Sequence, residues 1–296
     1  MTGAPPKPSD CQKPLPGAPV IGFSDVLGSP IHIISLGAGV QSSAMALMAA
    51  LGTLTPLPEA AIFADTGDEP KSVYVWLDWL EKQLPFPVYR VRHPSGNPLS
   101  VASLHVRKSA GGKYYTKHSP PAFIVDAQGK TGILMRQCTQ DFKLEVIRRE
   151  IQRIRNKRPV IQWIGISLDE AHRMKPSRQA YITNTWPLID QRLTRRQCLS
   201  WMEANGFPKP PRSACTFCPY HSNAEWQRLK TDEPEAFQSA VEYEIKLQNT
   251  MKQVTNVRGT PFLHRSAISL ATVDFLDAHD GQQDLFGNEC EGMCGV

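Results

Sequence analysis

The sequence of 296 residues lacks the uninterrupted apolar run of about 20 residues that a membrane-spanning helix needs. It also lacks the apolar stretch of a secretory signal peptide. Its seven cysteines are an odd number, which disfavours a complete disulfide framework and favours thiol or metal chemistry in a reducing compartment. These absences argue against membrane-spanning and disulfide-stabilised secreted proteins. We therefore expect a cytoplasmic protein with no membrane partner.

No charge of one sign dominates the chain, which has 33 Lys and Arg, 28 Asp and Glu and a formal net charge of +5. That balance permits a polyanionic partner without requiring one. The length and the 41% hydrophobic content suffice for one sizeable α/β domain and a smaller region. Residues 1–30 are rich in Pro, Gly and Ser and have no apolar periodicity, so we expect a disordered leader there.

An apolar run at residues 31–36 ends in three small residues, and a helix-forming run begins at once. This order predicts a strand, a tight turn and a helix. Small turn residues let a ligand approach the backbone, where the N–H groups of the first helical turn favour an anion. The residues that we expect to contact phosphate here are Ser35, Gly37, Ala38, Gly39, Gln41, Ser42 and Ser43.

Two common phosphate loops do not match this stretch. It has no Lys for a Walker A loop, and Ser42 stands where a dinucleotide fingerprint has its third glycine. The remaining candidate is the pyrophosphatase loop S-G-G-x-D-S, in which Gly37 would replace the first Ser and Gln41 the Asp. Gln41 can still form hydrogen bonds but carries no charge. The alternative is an ordinary turn between a strand and a helix.

A second buried strand is predicted at residues 60–64 and runs into Asp65, Thr66 and Gly67. In an open α/β sheet, functional residues lie at the carboxyl ends of the strands, so this turn should face the same crevice as the first one. The alternative is a turn that only caps the following helix.

The stretch from Arg136 to Lys143 contains Cys138, followed by Thr139, and precedes an amphipathic helix. Two neighbouring cations would lower the pKa of the thiol, which suits either a metal thiolate or a nucleophile. A single buried cysteine with no chemical role is the alternative.

The pair Cys215 and Cys218 forms a C-x-x-C motif, and His221 follows it closely. Two thiolates at this spacing can point to one metal ion or cluster from a tight turn. The same spacing also suits a redox dithiol, so the motif alone leaves both possibilities open.

Taken together, these motifs resemble the phosphoadenosine phosphosulfate (PAPS) reductase family of the adenine nucleotide α-hydrolase-like superfamily. The resemblance covers roughly residues 31–230 and the C-terminal tail, and it is nearer the branch of DNA-phosphorothioation sulfurtransferases. It implies an α/β fold with a mostly parallel sheet of five or six strands, helices on both faces and a C-terminal helical region that carries cysteines. The implied regions are a leader at 1–30, a nucleotide-binding domain at 31–190, a helical region at 191–280 and a mobile tail at 281–296.

The resemblance also implies site residues. An adenine nucleotide, ATP or PAPS, with Mg²⁺ would contact the loop described above together with Asp65, Thr66, Gly67 and Arg136. A [4Fe–4S] cluster would be held by Cys138, Cys215 and Cys218, with His221 as a further candidate ligand. Zinc on the same residues is the alternative. Arg173 follows a Gly-x-x-x-x-Glu-x-x-Arg pattern and, with Lys143, is a candidate catalytic residue for phosphate or sulfate oxygens.

The tail carries Cys290 and Cys294, and Glu289 before the first of them matches the start of the reductases' catalytic arm. The terminal His of that arm is absent. The two thiols are candidate catalytic groups that would form a disulfide, carry sulfur or bind the cluster. Incidental cysteines on a frayed end are the alternative.

Three functions remain open. In the first, which we favour, ATP adenylates an acceptor such as a nucleic acid and sulfur then displaces AMP, with a cysteine desulfurase as a candidate sulfur donor. In the second, the protein is a PAPS or adenylylsulfate reductase with a thioredoxin-like partner. In the third, it is a non-catalytic module for nucleotides and nucleic acids that zinc stabilises.

Two basic stretches bear on a nucleic-acid partner. The predicted helix carries six cations between Arg148 and Arg158, which either contact nucleic acid or are simply solvated. Residues 93–130 are expected to be irregular, and Lys113 and Lys117 in them either cover a phosphate or are solvated loop charges.

Overall fold

The computed structural model describes residues 28–255 and 257–275. The predictions for residues 1–27, for Cys290 and for Cys294 lie outside these ranges. The described strands are β1 (Ile31–Leu36), β2 (Ala60–Asp65), β3 (Val88–Arg92), β4 (Val106–Lys108), β5 (Tyr114–Thr116), β6 (Phe123–Val125), β7 (Thr131–Ile133), β8 (Val160–Ile164), β9 (Ile182–Thr185) and β10 (Thr260–Phe262).

The described helices are α1 (Val40–Ala50), α2 (Lys71–Glu81), α3 (Leu99–Ala102), α4 (Glu145–Ile154), α5 (Pro187–Asp190), α6 (Arg195–Ala204), α7 (Asn223–Asp232) and α8 (Pro234–Met251). A π-helical turn, Thr139–Leu144, leads directly into α4, and a 3₁₀ turn, Leu168–Arg173, follows β8.

The central sheet has five parallel strands in the order β3-β2-β1-β8-β9. The predicted α/β fold with a parallel sheet of five or six strands is therefore confirmed. The chain moves outward from β1 to β3 and then returns to the other side of β1 to form β8. At such a reversal, the carboxyl ends of the two central strands border a crevice.

The two faces of the sheet are apolar, and different helices pack on each of them. On one face, Ile34 and Leu36 pack with residues of α1, α2 and α6. On the other face, Ile31 and Ile33 pack with Ile147 of α4. Strands covered on both faces are expected to be apolar throughout, and β2 follows this rule up to Asp65, whereas β1 also contains His32 and Ser35. The prediction of helices on both faces is confirmed.

A second apolar cluster joins α7 and α8 to the segment that carries the C-x-x-C motif. Trp226 and Phe217 are fully buried in it. The helix α6, in contrast, packs against α1 and belongs to the core of the central sheet. None of the helices in the described ranges is both long and apolar enough to cross a membrane.

The segment that follows β3 is more ordered than the sequence suggested. The strands β4 and β5 form an antiparallel hairpin, and β6 pairs with β7 and β10. The expectation that residues 93–130 are irregular is therefore wrong for Leu99–Ala102, Val106–Lys108, Tyr114–Thr116 and Phe123–Val125, and it holds for the other residues of the stretch. These strands have three residues each, which is too short for a two-residue periodicity to be recognised.

Candidate functional site

The phosphate loop, residues 37–43, joins β1 to α1 as predicted. Gly39 is the N-cap residue of α1, and Ala38 before it adopts a left-handed φ of 58°. The N–H of Gly37 donates to Oγ of Ser42 at 3.1 Å, which closes the turn. The loop therefore has the tight backbone path at a helix N-terminus that anion binding requires.

The serines of this region also accept hydrogen bonds from neighbouring elements. Trp76 Nε1 donates to Ser43 Oγ at 3.1 Å, and Gln162 Nε2 donates to Ser35 Oγ at 2.6 Å. The orientations of the buried side chains of Ser43 and Ser35 are therefore fixed by α2 and β8, respectively.

Gln41 connects the phosphate loop to the turn after β8. Its Nε2 lies 3.1 Å from Oε2 of Glu170 and 3.4 Å from Oγ of Ser167. Glu170 in turn accepts a hydrogen bond from Arg173 at 2.7 Å, and all three side chains in this row are largely buried. The predicted loop residue Gln41 and the predicted catalytic residue Arg173 thus belong to one polar row through Glu170.

The turn after β8 packs so closely on the phosphate loop that position 165 has to be a glycine. A Cβ atom built at Gly165 would lie 2.8 Å from both the Cα and the backbone N of Ser42. Side-chain atoms essentially never approach backbone this closely, so any larger residue would displace the loop. The glycine of the sequence pattern therefore has a steric reason in the structure.

Both carboxylate oxygens of Asp65, at the end of β2, accept hydrogen bonds. One oxygen accepts from the Gly67 N–H and from the Tyr74 hydroxyl, both at 2.8 Å. The other oxygen accepts from the Arg92 guanidinium at 2.7 and 2.8 Å. Asp65 therefore fixes the shape of the turn that carries Thr66.

A cavity of about 110 Å³ lies on the outer side of this turn, between β2 and β3. It is lined by Asp65, Thr66, Gly67, Arg92, Gly96, Asn97 and Pro98. Gly67 has a φ of +79°, and a Cβ atom there would meet Pro98 at 2.8 Å. The glycine is thus needed both for the turn and for the contact with the next loop.

Next to this turn is a small, mainly apolar cavity that we call the cysteine cavity. Its polar and thiol lining residues are Thr66, Arg136, Cys138, Thr139, Lys143, Cys215 and Cys218. The two motifs that the sequence places far apart therefore meet in space. Thr66 also contacts the thiol of Cys215, with 3.1 Å between Oγ1 and Sγ.

The electrostatic setting of Cys215 favours its neutral thiol form. Burial raises the pKa of the Cys215 thiol well above its ordinary value, Glu69 and Asp68 act in the same direction, and Lys143 opposes them. The ligand-free thiol is therefore protonated at neutral pH. A bound cation would be needed to stabilise its thiolate form.

The thiols of Cys138, Cys215 and Cys218 are suitable in kind for an iron–sulfur cluster or for zinc, because all three border one cavity. However, within residues 28–255 and 257–275 no three Cys, His, Asp or Glu side chains are arranged to hold a metal ion. The structure thus brings three of the predicted ligands to one cavity without arranging them as a coordination shell.

His221, the fourth predicted ligand, does not line the cysteine cavity. Its Nε2 donates to the carbonyl oxygen of Cys215 at 3.0 Å, and its ring packs edge-on against Trp226. Burial, followed by the nearby charge of Arg212, lowers the pKa of His221 to about 3. The ring is therefore neutral, and its contacts hold the C-x-x-C turn against α7.

A cavity of about 410 Å³ lies on the α4 face of β8 and β9. Its floor includes Gln162 and Asn184, which are paired across the two strands in register. Arg148, Lys175 and Arg178 also line it. Sequence reasoning missed this cavity, although a Gln within an otherwise apolar strand was the available signal.

Comparison with known proteins does not add to this description: no family model matches the sequence, and no curated protein matches it.

Proposed function

We propose that this protein is an adenine-nucleotide-dependent sulfur enzyme of the PAPS reductase type. One observation carries the proposal: the segment expected to bind the nucleotide and the cysteine cavity share Thr66, whose hydroxyl contacts Cys215 at 3.1 Å. A nucleotide at the phosphate loop would therefore lie beside three thiols. That adjacency suits a reaction in which an activated group meets a sulfur donor.

In the favoured reaction, an oxygen of the acceptor attacks the α-phosphorus of ATP and pyrophosphate leaves. Backbone N–H groups at Gly39 and the hydroxyls of Ser42 and Ser43 would bind the phosphates, and Mg²⁺ would neutralise the leaving pyrophosphate. Arg173, held by Glu170, would be oriented toward a phosphate oxygen. Sulfur at the sulfide level would then attack the activated atom of the acceptor, and AMP would leave with the acceptor's oxygen.

Cys138, Cys215 and Cys218 would hold a [4Fe–4S] cluster, or zinc, at the cysteine cavity. When bound, a cluster would supply or relay the sulfur. The chain's own contribution there is Lys143 and Arg136, whose positive charges line the same cavity and would stabilise thiolates or an anionic sulfur species. We expect such chemistry in the reducing cytoplasm, with a cysteine desulfurase or a thioredoxin-like protein as partner.

The test uses protein purified without oxygen and supplied separately with Mg-ATP and with PAPS. We expect Mg-ATP to bind, and we expect pyrophosphate to appear when an acceptor nucleic acid is added. Sulfite release from PAPS would instead identify a reductase. A preparation that contains zinc but no iron and turns over neither nucleotide would contradict the enzymatic proposal and support the non-catalytic module.

A further inference from the structure

One segment rich in positive charge is residues 106–136, which we call the basic segment. It contains one acidic residue, Asp126. Its cations are Arg107, Lys108, Lys113, Lys117, Lys130 and Arg136. Their formal excess over Asp126 equals the net charge of +5 of the whole chain. The remainder of the sequence is therefore neutral overall, and a polyanion would be attracted to this segment.

These cations differ from those of α4, which the sequence suggested as a nucleic-acid surface. On α4, Arg148 and Arg149 pair with Glu145, and Arg153 pairs with Glu150. Arg158, just beyond the helix, pairs with Glu59. Ion pairs with three carboxylates therefore involve four of the six cations in this stretch, and Arg155 and Lys157 lie outside these pairs.

In the basic segment, by contrast, the exposed side chains of Arg107, Lys113, Lys117 and Lys130 form no ion pair with any described residue. Charges that lack an intramolecular partner remain available for the phosphates of a ligand. More unpaired positive charge thus lies on the basic segment than on α4.

Two exposed tyrosines accompany these charges on the β4–β5 hairpin. Tyr114 and Tyr115 keep 44% and 36% of their surface accessible. In the strand register, Tyr114 lies opposite Lys108 and Tyr115 lies opposite Arg107, so each ring has a cation beside it. The Lys108 ammonium lies 5.6 Å from the centroid of the Tyr114 ring. Aromatic rings beside cations are the usual stacking positions for unpaired bases.

The basic segment is continuous with the cysteine cavity. Pro120, Pro121 and Arg136 belong to the segment and also line that cavity. Met135, which directly precedes Arg136 in the sequence, is 79% exposed. A strand bound along the segment would therefore pass the entrance of the cavity in which the three thiols lie.

We propose that the basic segment binds a single-stranded nucleic acid and presents it to the cysteine cavity. The exposed cations would contact phosphates, and the tyrosine rings would stack on unpaired bases, which a duplex does not offer. This inference rests on the proposed function, because it identifies the acceptor of that reaction as a single strand of DNA or RNA.

The test measures binding of fluorescein-labelled DNA and RNA strands of about 20 nucleotides, and of the matching duplex, by fluorescence anisotropy over a range of salt concentrations. Heparin serves as a polyanion without bases. The first variant is the double substitution Lys113→Ala and Lys117→Ala. Its matched control, Lys82→Ala with Lys209→Ala, removes the same charge from exposed lysines outside the basic segment.

We expect wild-type protein to prefer the single strand to the duplex. The variant in the segment should bind several-fold more weakly at low salt and reduce the salt slope by about one to two, while the control stays within about twofold of wild type. No binding of single strands at low salt, tighter binding of the duplex, or equal effects of the two double variants would overturn the proposal.

The tyrosines provide a second, independent measurement on the same oligonucleotides. Tyr115→Leu should weaken single-strand binding by about fivefold or more, whereas Tyr115→Phe should retain it, because stacking needs the ring and not the hydroxyl. If Tyr115→Leu binds like wild type and heparin competes as well as the oligonucleotide, the segment attracts polyanions in general and the proposal fails.

Binding of Mg-ATP to the same preparations separates this inference from the proposed function. Retained ATP binding with no oligonucleotide binding overturns only the inference that the basic segment binds a nucleic acid. Oligonucleotide binding without any binding of ATP or PAPS overturns the proposed function.

Discussion

At the scale of single residues, Gln41 determines how the phosphate loop meets the turn after β8. Its amide nitrogen donates to Glu170, which also receives a hydrogen bond from Arg173. A carboxylate at position 41 would instead face the carboxylate of Glu170 with little water between them. Gln41 therefore pairs with an acidic group supplied by the turn after β8.

Gln41→Asp should therefore impair the protein instead of restoring the usual loop. We expect the free energy of unfolding at neutral pH to fall by about 2 kcal/mol, since two buried carboxylates would repel each other. Chemical denaturation measures this change. Adding Glu170→Gln to the same chain should recover most of the loss, and a double variant as unstable as Gln41→Asp would contradict the assigned contact.

Gly165 offers a second prediction at this scale. Gly165→Ala places a methyl group 2.8 Å from the backbone of Ser42, and we expect a loss of about 1–3 kcal/mol of stability together with weaker Mg-ATP binding. Gly132→Ala is the matched control, because a Cβ atom there has open space around it. Calorimetric titration of both variants with Mg-ATP should show a loss of affinity for Gly165→Ala alone.

At the scale of elements, the junction between α7 and α8 ties the C-terminal helices to the central domain. Glu233 accepts from the Arg228 guanidinium at 2.8 Å and from the hydroxyl of Ser72, in the first turn of α2, at 2.7 Å. Burial alone would raise the pKa of Glu233, but the hydrogen bonds from Arg228 and Ser72 outweigh it and hold the pKa below its ordinary value of 4.5.

Because the folded state holds this pKa low, the contacts of Glu233 stabilise the protein above about pH 4.5 and lose strength as the pH falls below that value. Glu233→Gln should lower the unfolding free energy by about 1–2 kcal/mol at pH 7, and its difference from wild type should shrink toward pH 3. The exposed Glu242, 4.0 Å from Lys246, gives the control: Glu242→Gln should cost at most about 0.5 kcal/mol.

Long periodic elements could be predicted from the sequence, and short ones could not. The helix expected directly after the three small residues of the phosphate loop is α1, which spans Val40–Ala50. The three-residue strands after β3 had no detectable period. The π-helical turn Thr139–Leu144 also lacks a sequence signal, because its apolar spacing resembles that of the helix it joins.

At the scale of the whole molecule, topology brings together motifs that are more than 70 residues apart in the chain. The parallel order of β1, β2 and β8 explains why the phosphate loop, Thr66 and Glu170 could be predicted to meet at one sheet edge. The placement of Cys215 beside Thr66 could not be derived this way, since it depends on how the segment before α7 packs into the second apolar cluster.

Because side-chain packing could not be derived from the sequence, the position of His221 and the unpaired charge of the basic segment were not predicted either. The spacing after Cys218 is compatible with a metal ligand, but packing against Trp226 turns the His221 ring to the carbonyl of Cys215. Which arginines are neutralised by ion pairs likewise depends on side-chain positions that the sequence leaves undetermined. Four of the six cations at α4 are paired for this reason, while the cations of the β4–β5 hairpin form no ion pair with a described residue.

The central claim is that the nucleotide site and the cysteine cavity form one site. Its most direct test is the rate at which iodoacetamide alkylates each cysteine, followed by mass spectrometry, with and without saturating Mg-ATP. Cys138 borders the cavity and is partly exposed, while Cys198 is buried between α6 and α1, where burial raises its pKa to about 12. We predict that Mg-ATP slows alkylation of Cys138 about fivefold or more and leaves Cys198 unchanged. Mg-ATP that binds without changing the rate at Cys138 would contradict the account.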